Sequence, residues 1–372
     1  MRKILFGIFA FVFSITLVAV VSPASAATTC TFTDSGNTMT LDSDCTTDET
    51  ILVPDGYTLD GNGYTINAEN PAVGHFIGAV VKNEGTTANV TNLNMTTDSL
   101  ANVCDAGDNR LRGILFEGAS GSITHNNVND INQGPSGCQE GNAIEVRNAP
   151  YDGTHPNTQY VKIWDNSIDE YQKTGILANG DVHVDVKGNE VVGLPPTLSI
   201  AQNGIQLGYG ATGNVQQNNI DSNWYEGSGW TSSGILAFQV SNTVIQNNSV
   251  LNSQTGIAVE TWCYLEGPAE ATNNKVVKNV IDNSQWGVSI SAYDFYSDCE
   301  ASANNNKVQN NTISSGNGDT GVFIGAYSFD LNYEPEAVNN KVINNKIKGF
   351  NEDIEQYGDS ASKVNANKTA TP

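Results

Sequence analysis

Positive charge is scarce in this chain. Its 372 residues include 17 Lys and Arg against 40 Asp and Glu, which gives a formal net charge of −23. A chain this acidic is repelled by the phosphates of nucleic acid and by anionic membrane surfaces. The composition therefore argues against nucleic acid as a partner and against adsorption to an anionic membrane.

Long apolar runs are missing after the N-terminal segment, so the sequence predicts no membrane insertion. The one such run, Ile4–Val21, follows Arg2 and Lys3 and precedes the small residues Ala24–Ala26. A positively charged N-terminus, a short apolar segment and a cleavage site of small residues are typical of a secretory signal peptide, here residues 1–26. An N-terminal membrane anchor is the alternative. We expect a secreted protein, located outside the cell or at its surface.

Histidine, methionine and closely spaced cysteines are also rare. The chain has four histidines, three methionines and six cysteines, and it contains no CxxC pair. This gives no support to a zinc or copper site, so no metal ligands are assigned. Six cysteines in a secreted chain suggest three disulfides, whose pairing the count alone does not decide. Proximity along the chain favours the pairs Cys30–Cys45, Cys104–Cys138 and Cys263–Cys299.

Calcium is the one cofactor that the acidic residues leave open. Carboxylate oxygens are the ligands that Ca²⁺ prefers, although no D-x-D-x-D-G loop is present. The candidate ligands are Asp294, Asp298, Glu300, Asp330, Glu334 and Glu336.

Helical periodicity is absent outside the N-terminal segment. Instead the pattern [IVL]-x-x-N-x-[IV] recurs at spacings of 23 to 40 residues. Short segments that alternate apolar and polar residues and favour Val and Ile are typical of β-strands. Self-similarity at a period of about 20–50 residues indicates a solenoid, a propeller or an array. The central asparagines are Asn126, Asn166, Asn189, Asn218, Asn248, Asn279, Asn311 and Asn345, with a degenerate earlier copy at Asn62.

A structural role explains these asparagines. Each stands between two strands, where the chain must turn, and asparagine tolerates left-handed backbone angles. In stacked coils, identical Asn side chains can form hydrogen bonds along the axis as a ladder. We therefore expect the asparagines to stabilise the fold and not to bind a ligand.

Each unit also carries Gly followed by an apolar residue, as in GILF at 113, GIQL at 204 and GVFI at 321. With the [IV]xxNx[IV] segments, these units resemble those of right-handed parallel β-helix proteins, the pectin-lyase-like superfamily, over residues 50–367. The resemblance implies an all-β, right-handed parallel β-helix of roughly ten coils. The expected organisation is a signal peptide at 1–26, an N-terminal cap at 27–50, the β-helix at 51–357, and a last partial coil with a polar tail at 358–372.

The resemblance implies several activities and selects none. That superfamily includes polysaccharide lyases, glycoside hydrolases, sugar epimerases and adhesins. The galacturonan hydrolase signatures and the D-P-H-E of mannuronan epimerases are absent, and IWDN at 163 lacks the histidine of the pectate lyase motif. We expect a protein that binds an extracellular polysaccharide or cell-surface glycan and, as an enzyme, cleaves it by lyase or hydrolase chemistry. A non-catalytic adhesive or structural protein is the alternative, and the oligomeric state is open.

Candidate catalytic residues follow from strand geometry. If the residue after each Gly points inward, alternate residues point outward, and neighbouring coils lie ~4.8 Å apart. Glu117, Glu145 and Arg147 then cluster on one outer face, where two carboxylates beside a guanidinium suit acid–base chemistry on a sugar. Arg147 with Lys173 or His155 could supply the cation and base of a lyase. The alternative is an ion pair that holds two coils in register.

Candidate sugar-binding residues lie in the loops after the last G-[IV] strands. These loops are rich in aromatic and acidic residues, and Trp262, Tyr293 and Tyr327 fall at matching positions. Aromatic faces bind the apolar C–H faces of sugars, although packing against the barrel is the alternative. The candidates are Trp262, Tyr264, Tyr293, Phe295, Tyr296 and Tyr327.

Overall fold

The chain forms a solenoid of short parallel strands in three stacks along its axis, called here the first, second and third sheets. The second and third join into one sheet through the long strands Thr312–Ser328 and Lys346–Tyr357. The computed structural model describes residues 28–148, 157–263, 267–295, 299–329, 335–358 and 360–370, with backbone alone at 267, 268, 299 and 370. Each strand pairs in parallel with its counterpart one coil later, as Ile163 pairs with Val186. Every coil therefore covers the hydrogen-bonding edge of the coil before it.

The first sheet begins with an antiparallel hairpin and continues in parallel. In the hairpin, Phe32–Ser35 lies against Thr38–Leu41 and covers the free edge of the first coil, where another chain could otherwise pair. The strands are Phe32–Ser35, Thr38–Leu41, Tyr57–Asp60, Thr87–Thr91, Ser120–Thr124, Gln159–Trp164, Val182–Lys187, Thr212–Gln216, Val244–Gln246, Lys275–Val277, Lys307–Gln309, Lys341–Ile343 and Lys363–Asn365.

The second sheet follows the first in each coil. Its strands are Cys45–Thr47, Thr65–Ala68, Asn94–Thr97, Asn127–Asn129, Ser167–Tyr171, Glu190–Gly193, Asn219–Asp221, Ser249–Leu251 and Val280–Asp282, then the first parts of Thr312–Ser328 and Lys346–Tyr357, and finally Lys368–Ala370.

The third sheet contains the G-[IV] segments. Its strands are Ile51–Val53, Ala79–Asn83, Arg112–Glu117, Asn142–Arg147, Thr174–Asn179, Asn203–Gly208, Ser233–Phe238, Thr255–Cys263 and Trp286–Asp294, followed by the second parts of Thr312–Ser328 and Lys346–Tyr357. A separate pair, Gly267–Glu270 with Cys299–Ser302, lies beside its last coils. The one described helix is a short 3-10 turn, Gly107–Asn109. Within the described ranges, no helix has the length and apolarity needed to span a membrane.

The interior is a stack of aliphatic side chains in register. In the third sheet Ile205, Ile235 and Ile257 pair coil upon coil, and all three are fully buried. A glycine precedes each of these isoleucines, and it is required because neighbouring atoms lie too close to leave room for a Cβ. A Cβ on Gly204 would meet the carbonyl oxygen of Gly234 and the side chain of Ile220, each at 2.5 Å. The G-[IV] signature therefore marks where the third sheet packs tightly against its neighbours.

The predicted asparagine ladder is present and buried. Asn126 donates from its backbone N–H and its side-chain amide to Oδ1 of Asn166, both at 3.0 Å, and the pattern repeats to Asn345. Each amide also donates to a backbone carbonyl, as Asn166 does to Ile123 at 3.0 Å. The ladder extends one coil further than predicted, because Asn345 donates to Asn367.

Two details of the ladder prediction were wrong. Asn62 is exposed and lies outside the ladder, and the backbone N–H of Leu93 donates to Asn126 at its start. The left-handed residue of each turn is not the ladder asparagine but the residue before it, with φ of 59° at His125 and 58° at Lys278. The ladder asparagines are therefore selected for their amide hydrogen bonds and not for tolerance of positive φ.

Two of the expected disulfides are confirmed, Cys30–Cys45 and Cys104–Cys138. The expected Cys263–Cys299 pair involves a side chain outside the described residues and stays a prediction. Disulfides form and persist outside the reducing cytosol, which agrees with the expected location. The signal peptide itself lies outside the described residues.

Candidate functional site

The outer face of the third sheet has the register that the sequence predicts. Leu115 pairs with Glu145, and Glu117 pairs with Arg147. The residues that pair in register with Arg147 in later coils include Glu260 and, five coils beyond Arg147, Ser291, which pairs with Glu260. Ser291 lies two residues before Tyr293 on the same strand. The candidate catalytic and aromatic residues therefore share one face of the solenoid but occupy different parts of its length.

Glu117, Glu145 and Arg147 do come together, in a buried cluster of charges. Arg147 lies 3.0 Å from Glu117 and 3.8 Å from Glu145, and its side chain is only 7% exposed. Glu145 accepts a hydrogen bond from Nε of Arg112 at 2.6 Å. Arg112 in turn donates to the backbone carbonyls of Gly107, Asp108 and Arg110 in the loop that precedes its strand. This loop keeps the cluster partly out of solvent.

Every charge in this cluster has a partner. Asp108 accepts from Arg147 at 2.6 Å, and this bond holds the pKa of Asp108 below its usual value. Lys82 lies 2.5 Å from Glu117. A network whose central residues Arg112, Glu145 and Arg147 are buried, and in which each charged group has an ionic partner, suits the alternative that the sequence left open, in which the charges hold neighbouring coils in register. The catalytic assignment of Glu117, Glu145 and Arg147 stays a prediction.

Lys173 lies elsewhere, in the wall of a pocket of about 620 Å³. Its ammonium donates to the carbonyl oxygen of Ala201 at 2.6 Å, and burial lowers the pKa of Lys173 to about 8. The described lining of this pocket includes none of Glu117, Glu145 and Arg147. The structure therefore separates Lys173 from the three residues with which the sequence grouped it, and its catalytic role stays a prediction. His155 lies outside the described residues.

Among the described lining residues of this pocket, Glu260 is the one carboxylate. It belongs to the outward column that contains Arg147, and it pairs with Phe238 in the coil before and Ser291 in the coil after. Burial raises the pKa of Glu260 to about 7, although the hydroxyls of Ser291 and Ser289 hydrogen-bond to the carboxylate and oppose the shift. Glu260 is thus able to give or take a proton at neutral pH.

Aromatic rings form much of the remaining wall. The ring centroids of Phe238 and Trp262 are 5.3 Å apart, and Trp230 lies 5.4 Å from Trp262 on the solvent side. Trp230 and Tyr209 each expose 57% of their surface, and Tyr225 also lines the pocket. The pocket therefore combines an aromatic wall with many polar side chains, among them Asn203, Gln206 and Ser233.

The aromatic row predicted from the loops continues beyond the pocket. Trp262 pairs with Tyr293, and Tyr293 pairs with Tyr327, as the sequence alignment of the loops predicts. The rings of Tyr293 and Tyr327 stack at 5.2 Å with planes 6° apart. Phe295 stacks on Phe329 at 4.8 Å. Tyr264 and Tyr296 lie outside the described residues, so their roles stay predictions.

Calcium binding also stays a prediction. Asp298, Asp330 and Glu334 lie outside the described residues. Across the part of the chain that the structure describes, the one compact group of potential ligands is Cys104, Cys138 and Glu140. Its cysteines form a disulfide, and Glu140 accepts hydrogen bonds from the backbone of Asp105 and Leu111. This group therefore serves to fasten two loops together and does not offer a metal site.

Sequence reasoning did not include Glu260 among the candidate catalytic residues, although Glu260 lies in the same outward column as Glu117 and Arg147. The signal was nevertheless present. Glu260 is the carboxylate of that column nearest Trp262, two residues along the same strand. The sequence stretch WYEGSGW at 224–230 predicts an extension of the aromatic patch, and in the structure its Tyr225 and Trp230 line the pocket.

Comparisons with known proteins agree with this architecture. The family model of the right-handed β-helix region matches residues 152–332. The solved structure of the periplasmic alginate epimerase AlgG is 13% identical, covers 90% of this chain and 85% of its own, and has a TM-score of 0.56. The Dettilon tailspike protein is 15% identical, covers 88% of this chain and 61% of its own, and has a TM-score of 0.47. No curated protein sequence matches the chain.

Proposed function

We propose that this right-handed parallel β-helix protein binds a polysaccharide in the pocket lined by Lys173, Glu260 and Trp262. The observation that carries the proposal is the pocket itself, about 620 Å³ in volume, with aromatic rings and polar side chains together in its lining. Binding pockets for small organic ligands commonly measure about 300–1,000 Å³. Aromatic faces stack on the apolar C–H faces of sugar rings, while carboxylate, hydroxyl and ammonium groups bond sugar hydroxyls.

The length of the aromatic row supports a polymeric ligand. Trp230, Trp262, Tyr293, Tyr327 and Tyr357 follow one another with ring centroids 4.5 to 6.1 Å apart. The row runs along the solenoid axis, because successive members belong to successive coils. A chain of sugars lying along this row would contact several rings at once, at the ring edges where Tyr293, Tyr327 and Tyr357 stack on one another. The alginate epimerase named above shows that this fold can support an enzyme that acts on polysaccharide.

We further propose that Glu260 transfers a proton during cleavage of the bound glycan. With a pKa of about 7, it can donate a proton to a leaving oxygen at neutral pH, which is the general-acid step of glycoside hydrolysis. A polyuronate substrate would be repelled by a chain of net charge −23, which favours hydrolysis of a neutral or cationic glycan over lyase chemistry on uronates. The aromatic row, exposed at Trp230 and Tyr357, also supports a second candidate, adhesion to a glycan without cleavage.

Binding and product release on a panel of polysaccharides test the proposal. We expect Trp230→Ala and Trp262→Ala to weaken binding at least about tenfold, which corresponds to about 1.4 kcal/mol. Tyr160→Ala is the matched control, because Tyr160 is 63% exposed on the first sheet and does not line the pocket. Equal binding by both tryptophan variants and the parent would refute the site.

Glu260→Gln separates the enzyme from the adhesive protein. It keeps the shape of the side chain but cannot donate a carboxylic proton. In an enzyme, Glu260→Gln should abolish the release of reducing ends and leave binding in place. A parent protein that binds glycan but releases no product from any member of the panel would support adhesion instead.

A further inference from the structure

A second pocket, of about 210 Å³, lies beside the first on the same sheet. Glu260 and Thr231 line both pockets, so the two are neighbours along the aromatic row. The second pocket exists because its floor is made of a small side chain. Ser289 lies between Ala258 and Phe323 in its column, with Trp286 on one side and Tyr293 on the other.

Carboxylates stand toward both ends of the second pocket. Glu355 pairs with Phe323, two coils beyond Ser289, and its carboxylate accepts a hydrogen bond from Thr320 at 3.1 Å. Glu260 lies in the coil that precedes the coil of Ser289. Aromatic rings of Trp286, Tyr293, Phe323 and Tyr327 complete the wall. No lysine or arginine occurs among the described residues of the lining.

This combination favours a positively charged ligand. The faces of Trp, Tyr and Phe rings attract an ammonium group, and the attraction is stronger where water is partly excluded. The carboxylate of Glu355 reinforces this attraction and repels a carboxylated sugar, and Glu260 adds to both effects in its ionised form. A single Ca²⁺ ion does not fit between Glu260 and Glu355, because three coil spacings of ~4.8 Å separate their strands and Ca²⁺ binds oxygen at about 2.3–2.6 Å.

We propose that the second pocket binds the ammonium group of an amino sugar residue in the glycan that occupies the first pocket. This inference rests on the proposed function and names the class of substrate. Glu260 lines both pockets, so a ligand that extends from one pocket into the other must pass Glu260. For this reason we assign the amine to the glycan and not to a free amine. A pocket of about 210 Å³ matches the size of one such residue.

Calorimetric titration with glucosamine oligomers and with N-acetylglucosamine oligomers of equal length tests the inference. The parent should bind the glucosamine oligomer about tenfold more tightly, and added salt should reduce the difference. Glu355→Gln should remove most of this preference and leave the affinity for the N-acetylated oligomer unchanged. Glu352→Gln is the matched control, because Glu352 lies on the same strand but is exposed and outside the pocket.

The outcomes distinguish this inference from the proposed function. Equal affinity for the two oligomers would overturn the amine site and leave glycan binding intact. Binding of spermidine as tight as that of the glucosamine oligomer would overturn the assignment to an amino sugar. Failure of every glycan in the panel to bind would overturn both proposals.

Discussion

The side-chain amide of Asn279 donates a hydrogen bond to Oδ1 of Asn311 in the next coil, at 3.1 Å. The same amide donates to the carbonyl oxygen of Ile245 at 3.0 Å. Oδ1 of Asn279 accepts from the backbone N–H of Asn248 at 2.9 Å. One side chain therefore satisfies two buried backbone groups of the preceding coil and also bonds the ladder side chain of the next coil, in a turn where water has little access.

Replacement of Asn279 by leucine should destabilise the solenoid. It leaves the Asn248 N–H and the Ile245 carbonyl without partners, at a cost of about 1–3 kcal/mol for each unsatisfied group. The measurement is the thermal unfolding midpoint. Asn219→Leu is the control, since Asn219 lies in the same type of turn segment but is exposed. Equal midpoints for the two variants would contradict the ladder.

Gly256→Ala should also lower the unfolding midpoint, for a steric reason. A Cβ at this position would lie 2.4 Å from Cγ2 of Ile281 and 2.6 Å from the carbonyl oxygen of Gly287. Overpacking of this kind typically costs about 1–3 kcal/mol. At Gly316 a Cβ would meet nothing within 4 Å, so Gly316→Ala should be tolerated. If Gly256→Ala is as stable as the parent, the close packing of the third sheet is not required.

The fold could be predicted well from the sequence because the same repeat pattern occurs many times along the chain. Each coil repeats the Asn turn and the Gly–Ile strand, and stacking then places Trp262 beside Tyr293 and Tyr327 without further information. The sequence predicted the pocket poorly, because depth depends on loops that do not repeat. The loop with Trp230 has no counterpart in the pattern, and the burial that raises the pKa of Glu260 depends on such neighbours.

The buried cluster around Glu145 should stabilise the early coils. Glu145→Leu leaves Arg112 without its carboxylate partner, and breaking a buried pair typically costs about 3–5 kcal/mol. The double variant Arg112→Met with Glu145→Leu should recover part of this loss, because no unpaired charge remains. Glu190→Leu is an exposed control, for which a change within about 0.5 kcal/mol is expected.

The same cluster offers a test of the catalytic role predicted from sequence. Under the proposed function, Glu145→Gln and Arg147→Ala should lower stability but leave glycan binding and product release in the folded fraction near the parent values. If these two variants lose product release but retain stability and binding, the catalytic centre would be assigned to Glu145 and Arg147.

Ionisation of Glu260 should make the protein less stable as pH rises. Its pKa is about 7 in the folded chain and near the ordinary 4.5 in the unfolded chain, so the folded state holds more protons between these values. Unfolding then releases protons, and the free energy of unfolding falls as pH rises from about 4.5 to about 7. Above that range, both states are ionised and the contribution is constant. Other carboxylates titrate at lower pH, so the comparison is made with Glu260→Gln, which lacks this ionisation. Between pH 5 and pH 8, the unfolding midpoint of the parent should fall more than that of Glu260→Gln. Parallel curves for the two proteins would show that Glu260 does not carry the raised pKa on which its proposed acid role depends.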